Sequence, residues 1–309
     1  MAHQISAADV LAIFTGYKAT MLSAFAETDV ELGHLAGMES SELEREAYPI
    51  SAMAAVMQRW NGDRKFQDLL TKVVYVENGE KWEHSYAFKR RDIQLRRKMQ
   101  VEQAAIAFGK AAKLLNDDLL VTALQGGAAA AYVDGANFFA TNHPIVPWDA
   151  AAGTYANRKT GFGLTAANAQ TVLTEMRARR GWDNRPMRLR QFTVTVPSAL
   201  EWTARRIFEQ EMSSDPGVTT AGGNTNILKG RATVKVASLL DDEPTVWYIS
   251  ADDSPVKPFV LQEWQPLEVA MITDLNSEAV FHRDQFEAGQ SRGVEFGRML
   301  PHAITRCET

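Results

Sequence analysis

Cysteine is almost absent from the 309-residue sequence: Cys307 stands alone near the C-terminus. A single thiol excludes an intrachain disulfide and a cysteine-rich zinc site, and it fits a reducing compartment. Long apolar runs are missing as well, and nothing approaches the roughly 20 residues needed to span a bilayer. The opening MAHQISAAD has neither the basic nor the apolar region of a secretory signal. The expectation is a chain made and kept in the cytoplasm, with no membrane partner. Catalytic signatures are equally scarce: there is no GxSxG elbow, Walker A loop, HExxH or strand-linked GxGxxG. The six histidines, His3, His34, His84, His143, His282 and His302, form no pair at helical metal-ligand spacing. The reading is therefore of no catalytic set, no cofactor and no metal.

Basic charge is also in short supply. Lys and Arg total 33 against 38 Asp and Glu, a net charge of −5. Such a chain is a poor candidate for gripping nucleic acid with its whole surface. With 45% hydrophobic and 23% charged residues it is an ordinary globular composition. Its length suits two domains or one large one.

What is present begins with an amphipathic helix. Ser6 and Asp9 have capping-box spacing, and Val10, Ile13, Phe14, Tyr17 and Met21 follow at helical intervals. Glu27 to Glu46 is strongly acidic with weak apolar periodicity, and reads as an extended or loosely packed arm. From Met99 to about Gln125 a long helix is expected. Its apolar stripe runs through Val101, Ala104, Ala105, Phe108, Ala111, Ala112, Leu115 and Leu119, with Glu102, Lys110, Lys113 and Asp117 off it. Gly126-Gly127 is a natural stop. A second α/β region then begins. Helices are expected at Ala166–Arg180, ending in a basic turn that includes Arg179, and from Pro197-Ser198 to near Met212. Strands are expected at Phe192–Val196, Thr233–Ala237, Val246–Ser250, Phe259–Trp264 and Leu267–Thr273, with further strands and turns to the end. Ser213–Asn226 reads as a mobile surface loop.

The segment TKVVYVENGEKWEHSYAF, Thr71 to Phe88, carries the strongest local signal. Asn-Gly between two β-rich runs predicts a hairpin with a type I′ turn at Asn78-Gly79. Tyr75 then faces Trp82, Val73 faces His84 and Thr71 faces Tyr86 on one side of the ribbon. A two-stranded ribbon is marginal by itself, and Glu77, Glu80 and Lys81 charge its tip. Its aromatic face is expected to meet another subunit. The basic run KRRDIQLRRK, Lys89 to Lys98, has three readings: a solvated junction, a dock for an acidic partner or a phosphate contact. The acidic residues Glu39, Glu42, Glu44 and Glu46 supply complementary charge for Arg90, Arg91, Arg96 and Arg97 across a subunit contact. His143, in the loop DGANFFATNHP with Asp134 and Asn137, is either half of an acid–base pair or a histidine that bonds loop backbone and packs on Phe138 and Phe139. No nucleophile or metal companion stands out, which favours the second.

Several stretches resemble the major head subunit of Mu-like phages and prophages: ISAADVLAIFTGYKATMLSAF, the Asn-containing hairpin, the long helix, YVDGANFFATNHP and VFHRDQFEAGQSRGVEFG. The likeness runs from Ile5 to Ile304, and the acidic arm and KRRDIQLRRK depart from it. The resemblance implies an α+β fold of the tailed-phage capsid (Hong Kong 97) type. Residues 1–48 would be the N-terminal arm, 49–98 the extended hairpin loop, 99–150 and 261–309 the peripheral domain with its spine helix, and 151–260 the axial domain. It also implies a structural protein that self-assembles as hexamers and pentamers into an icosahedral shell around double-stranded DNA, with scaffold, portal and decoration proteins as partners. Residence in the virion would follow assembly in the host cytoplasm. Two rival readings are an encapsulin-like compartment of the same fold and a hydrolase using His143 and Asp134.

Overall fold

The computed structural model describes residues 6–53, 59–60, 62, 70–94, 98–212 and 225–309. The helices are α1 (Ala7–Glu27), α2 (Arg90–Gln94), α3 (Lys98–Gly126), α4 (Ala166–Arg177), α5 (Glu201–Phe208) and α6 (Glu278–Arg283). The strands are β1 (Ala36–Ser40), β2 (Arg45–Ile50), β3 (Lys72–Glu77), β4 (Lys81–Lys89), β5 (His143–Pro144), β6 (Thr154–Tyr155), β7 (Arg158–Thr160), β8 (Phe192–Val196), β9 (Thr233–Val236), β10 (Trp247–Ala251), β11 (Phe259–Ile272), β12 (Gln285–Arg298) and β13 (Ile304–Glu308).

Helix α1 starts on the expected capping box, with the Ser6 side chain accepting from the Asp9 amide and the Asp9 carboxylate accepting from Ser6. Its buried stripe is Val10, Phe14, Tyr17, Met21 and Ala24. The stripe packs on α3 at very close range. A Cβ on Gly109 would collide with the Met21 carbonyl and the Ala24 side chain, so only glycine lets the two backbones approach.

A four-stranded sheet, ordered β1-β11-β12-β4, lies against these helices. Strands β11 and β12 pair antiparallel over most of their length. Register shifts between Glu263 and Glu268 bend β11, which is why its sequence reads as two shorter strands. Alternate β12 residues Phe286, Ala288, Gln290, Arg292 and Val294 are buried. Three longer side chains of β12 reach backbone oxygens of α3: Gln290 donates to Phe108 O at 3.0 Å, Arg292 to Ala112 O at 3.0 Å and Arg298 to Ala123 O at 3.2 Å. The long helix is thus bonded along its length to the long strand. A second sheet, β7-β13-β10-β8-β9, packs with α4 and α5 around Val194, Val196, Trp247, Ile249, Val172, Met176 and Phe208.

Several expectations are corrected. The local hairpin does not form. Strand β3 pairs antiparallel with β2, Tyr75 opposite Ala47, whereas β4 pairs with β12, Trp82 opposite Arg292. Among the described residues, neither Asn78 nor Gly79 has a positive φ, so there is no type I′ turn. The reason is burial: Val74 and Val76 enter the core with Leu120, Phe259 and Val260, and β4 gains a nine-residue ladder with Phe88 inside. A two-stranded ribbon offers neither gain.

The acidic stretch is not loose. Leu32 and Leu35 are fully buried, and β1 runs parallel to β11 inside the first sheet. Asp117 is fully buried despite lying off the apolar stripe of α3, because its carboxylate accepts from the Glu31 and Leu32 amides, each at 2.9 Å. Arg179, expected in the last turn of the helix, lies past the end of α4 and is buried. Its guanidinium donates to the carbonyls of Ala156, Pro301, His302 and Ile304 and to Thr305 Oγ1. Strand β13 lies in the second sheet between β7 and β10, and its first residue, Ile304, also joins the core beneath Phe259, Val260 and Val294 of the first sheet. The expected mobile loop lies outside the described residues through 224. Asn226, at its end, is buried and holds Ile207 O and Gln210 O through Nδ2.

Candidate assembly surface

Strand β3 divides the candidate residues by their alternation. Val74 and Val76 turn inward, at 8% and 4% exposure, while Tyr75 is 56% exposed with the Arg45 guanidinium 4.2 Å over its ring. Strand β4 is the edge of its sheet. Trp82, at 46% exposure, and Tyr86, at 50%, alternate with His84 on the side facing α3. Tyr86 packs edge-on to Phe88 at 4.9 Å, and His84 lies 4.4 Å from Phe108. Tyr75 and Trp82 therefore occupy two different sheets and do not face one another.

Asn78 and Gly79 sit where β3 and β4 part. The Asn78 amide donates to Glu44 O at 2.9 Å, Nδ2 donates to Leu43 O at 2.9 Å, and Oδ1 accepts from Gln262 Nε2 at 2.6 Å. Gln262 Oε1 accepts from the Tyr48 hydroxyl at 3.0 Å. A Cβ at residue 79 would meet the Glu295 carboxylate, the movable end of a flexible side chain. Glu39, Glu42 and Glu44 are exposed, and Glu46 accepts from Ser41 Oγ at 2.9 Å. Arg90 lies 3.9 Å from Asp284, and Arg91 is exposed. Arg96 and Arg97 lie outside the described residues. Among the described residues, no ion pair within the chain joins the four glutamates to Arg90 or Arg91.

Gln262, Arg292, Asp117 and Arg179 were missed as organising residues. Arg292 is 3% exposed and donates to Glu263 Oε1 at 2.7 Å and Asn116 Oδ1 at 2.8 Å, in addition to Ala112 O. Charged or amide residues in a strand or helix carry no periodic mark of what they will reach, so no local pattern could have found them.

The His143–Asp134 pair exists. Nδ1 and Oδ2 are 2.6 Å apart, and Nε2 lies 3.1 Å from Asn157 Oδ1 and 3.2 Å from Phe138 O. Both side chains are closed from solvent, at 0% and 1% exposure, and Tyr155 stacks on the imidazole at 5.0 Å. So enclosed, the pair braces the loop it belongs to, tying Asp134 to Phe138 O and Asn157. Nearby, Tyr155 Oη is 3.0 Å from His302 Nδ1. Burial, with Arg179 and His143 close by, holds the His302 imidazole well below the usual histidine pKa.

A structure that spends its buried polar groups on bracing, and its half-exposed aromatics on edges, fits a shell subunit. The family model for the Mu-like prophage major head subunit gpT matches residues 10–164, 162–240 and 229–307. The chain belongs to that family. This head subunit is a structural capsid protein, a virion component that associates with copies of itself in a capsid shell. Its fold is similar to that of a chain in the procapsid of bacteriophage JBD30, with a TM-score of 0.62 and 18% identity over 99% of this chain and 76% of the other. It is also similar to the mature capsid of bacteriophage PhiM1, with a TM-score of 0.58 and 12% identity over 91% and 87%. The capsid of cyanophage P-SCSP1u gives a TM-score of 0.56 at 9% identity over 89% and 86%. No curated protein matches in sequence. These neighbours agree with the α+β capsid fold of the Hong Kong 97 type, with α3 as the spine helix.

Proposed function

We propose that the head subunit closes, as pentamers and hexamers, into an icosahedral shell around double-stranded DNA, and that it does so without catalysis, cofactor or metal. Near-identical copies in heterologous contact close when the rotation between them closes, which is how one chain makes both rings. A shell confines DNA without binding it tightly, so a net charge of −5 is no obstacle. Scaffold, portal and decoration proteins are the partners such a shell needs, and assembly in the host cytoplasm precedes packaging. Residues 1–48 serve as the arm, 49–98 as the extended loop, 99–150 with 261–309 as the peripheral domain, and 151–260 as the axial domain.

The interface reading rests on one observation: the inward valines of β3 belong to this chain's core, while Tyr75, Trp82 and Tyr86 are left about half exposed. Aromatics are the usual anchors of interfaces, and truncating one often costs about 2 kcal/mol or more of association. Tyr75, Asn78, Gly79, Trp82 and Tyr86 form the proposed contact, with Glu39, Glu42, Glu44 and Glu46 set against Arg90, Arg91, Arg96 and Arg97 of a neighbour. Trp82→Ala should leave a soluble subunit with near-native melting that fails to close shells in electron micrographs. Unfolding of the isolated variant would assign Trp82 to its own core instead.

A further inference from the structure

We propose that the pocket between β4 and α3, beside Trp82, receives a lysine or arginine side chain from a second copy of this chain. The inference deepens the interface reading and rests on it. The pocket has a volume of about 210 Å³. That is below the roughly 300–1,000 Å³ of small-molecule sites and suits a single long side chain. Ala111, Ala112, Leu115 and Leu267 give it apolar walls that an aliphatic stem can cover, and Trp82 offers an aromatic ring.

Two acceptors of the pocket, on Asp118 and Gln290, are open to a donor from outside the chain. Asp118, one of the lining residues, makes no ion pair through its carboxylate among the described residues. Burial and its neighbour Asp117 push the Asp118 carboxyl above its usual pKa, as expected of a carboxylate that lacks a cation. Glu83, next along β4, turns its carboxylate to the other face of the sheet, where it accepts from Ser85 Oγ. Gln290, 7% exposed and also lining the pocket, commits Nε2 to Phe108 O and leaves Oε1 without a partner.

The cation already present cannot serve. Arg292 is held by Glu263, Asn116 and Ala112 O, and its charge is matched by Glu263. Lys113 of α3 is directed elsewhere, over the Phe25 ring at 5.1 Å. His84 packs on Phe108. What remains is a ring beside the Asp118 carboxylate and the unpartnered Gln290 carbonyl, an arrangement that attracts an ammonium or guanidinium by cation–π, ionic and hydrogen-bond terms together. A second copy is the source because the subunit meets its own copies throughout a shell, and exposed basic residues such as Lys81 and Lys89 are available on each.

The test uses full-length subunits and assembled shells. Asp118→Asn should raise several-fold the subunit concentration needed for shells and flatten the salt dependence of assembly. The free subunit should melt at the same or a higher temperature, since the amide removes a carboxylate crowded by Asp117. A cryo-electron map of native shells should place a neighbour's lysine or arginine against Asp118 and over the Trp82 ring. A pocket filled with solvent or an apolar side chain, or native assembly by Asp118→Asn, overturns the inference. If Trp82→Ala blocks closure while Asp118→Asn assembles normally, only this inference fails. Normal closure by Trp82→Ala removes the interface reading beneath it.

Discussion

Gln262 Nε2 donates to Asn78 Oδ1 at 2.6 Å and thereby ties the point where β3 and β4 separate to the first half of β11. With Nδ2 on Leu43 O, the Asn78 side chain is a peg joining three segments far apart in sequence. Asn78→Gly, the replacement a type I′ turn would tolerate best, should therefore destabilise the subunit. It leaves the fully buried Gln262 short of an acceptor. A loss of about 1–3 kcal/mol in urea unfolding is expected, and an unchanged midpoint would contradict it.

Arg292 joins β12, β11 and α3 through its bonds to Glu263, Asn116 and Ala112 O. Removing one partner of a buried ion pair strands the other, at a cost of about 3–5 kcal/mol. Arg292→Met should show a loss of that order in denaturant unfolding. Arg292→Lys should recover little of it, because a single ammonium cannot reproduce the planar fork.

Acid should weaken the fold through two histidines. Burial, with Lys235 nearby, lowers the His34 pKa from 6.5 to about 4, and the His302 pKa is also held well below its usual value. Unfolding lets each imidazole take up a proton, so their contribution is complete above pH 6.5 and declines as the pH falls toward the folded values. For His34 the window is pH 6.5 to 4, and the full loss is about 3 kcal/mol. Unfolding measured across that range should show a falling midpoint, and His34→Gln should flatten the slope.

The charge pairing proposed between subunits makes a reciprocal prediction. Arg90→Glu with Arg91→Glu should reduce shell yield, and adding Glu42→Lys with Glu44→Lys should partly restore it. Each exposed pair contributes only about 0–1 kcal/mol, so the effect comes from repetition and should fade with salt, as screening reaches about 10 Å at 0.1 M. Equal sedimentation profiles for all three proteins at low and high salt would dismiss the pairing.

Local chemistry alone was enough for the elements whose stability is local. The Ser6–Asp9 cap, the stripe of α1 and the length of α3 can all be read from spacing, because each depends on neighbours within a few residues. The candidate surface was legible only in part. Tyr75, Trp82 and Tyr86 can be picked out as aromatics at strand positions, but the sheet each belongs to cannot. The Asn-Gly signal was outweighed by a pairing of β4 with β12 about 200 residues away in sequence, which buries Phe88, and by the entry of Val74 and Val76 into the main core. Asp117, Arg179, Gln262 and Arg292 follow the same physics. Each is polar, and periodicity assigns such residues to the outside. Only the packed structure decides otherwise, by bringing amide hydrogens, carbonyls and a carboxylate to places where a buried charge or amide finds every partner it needs.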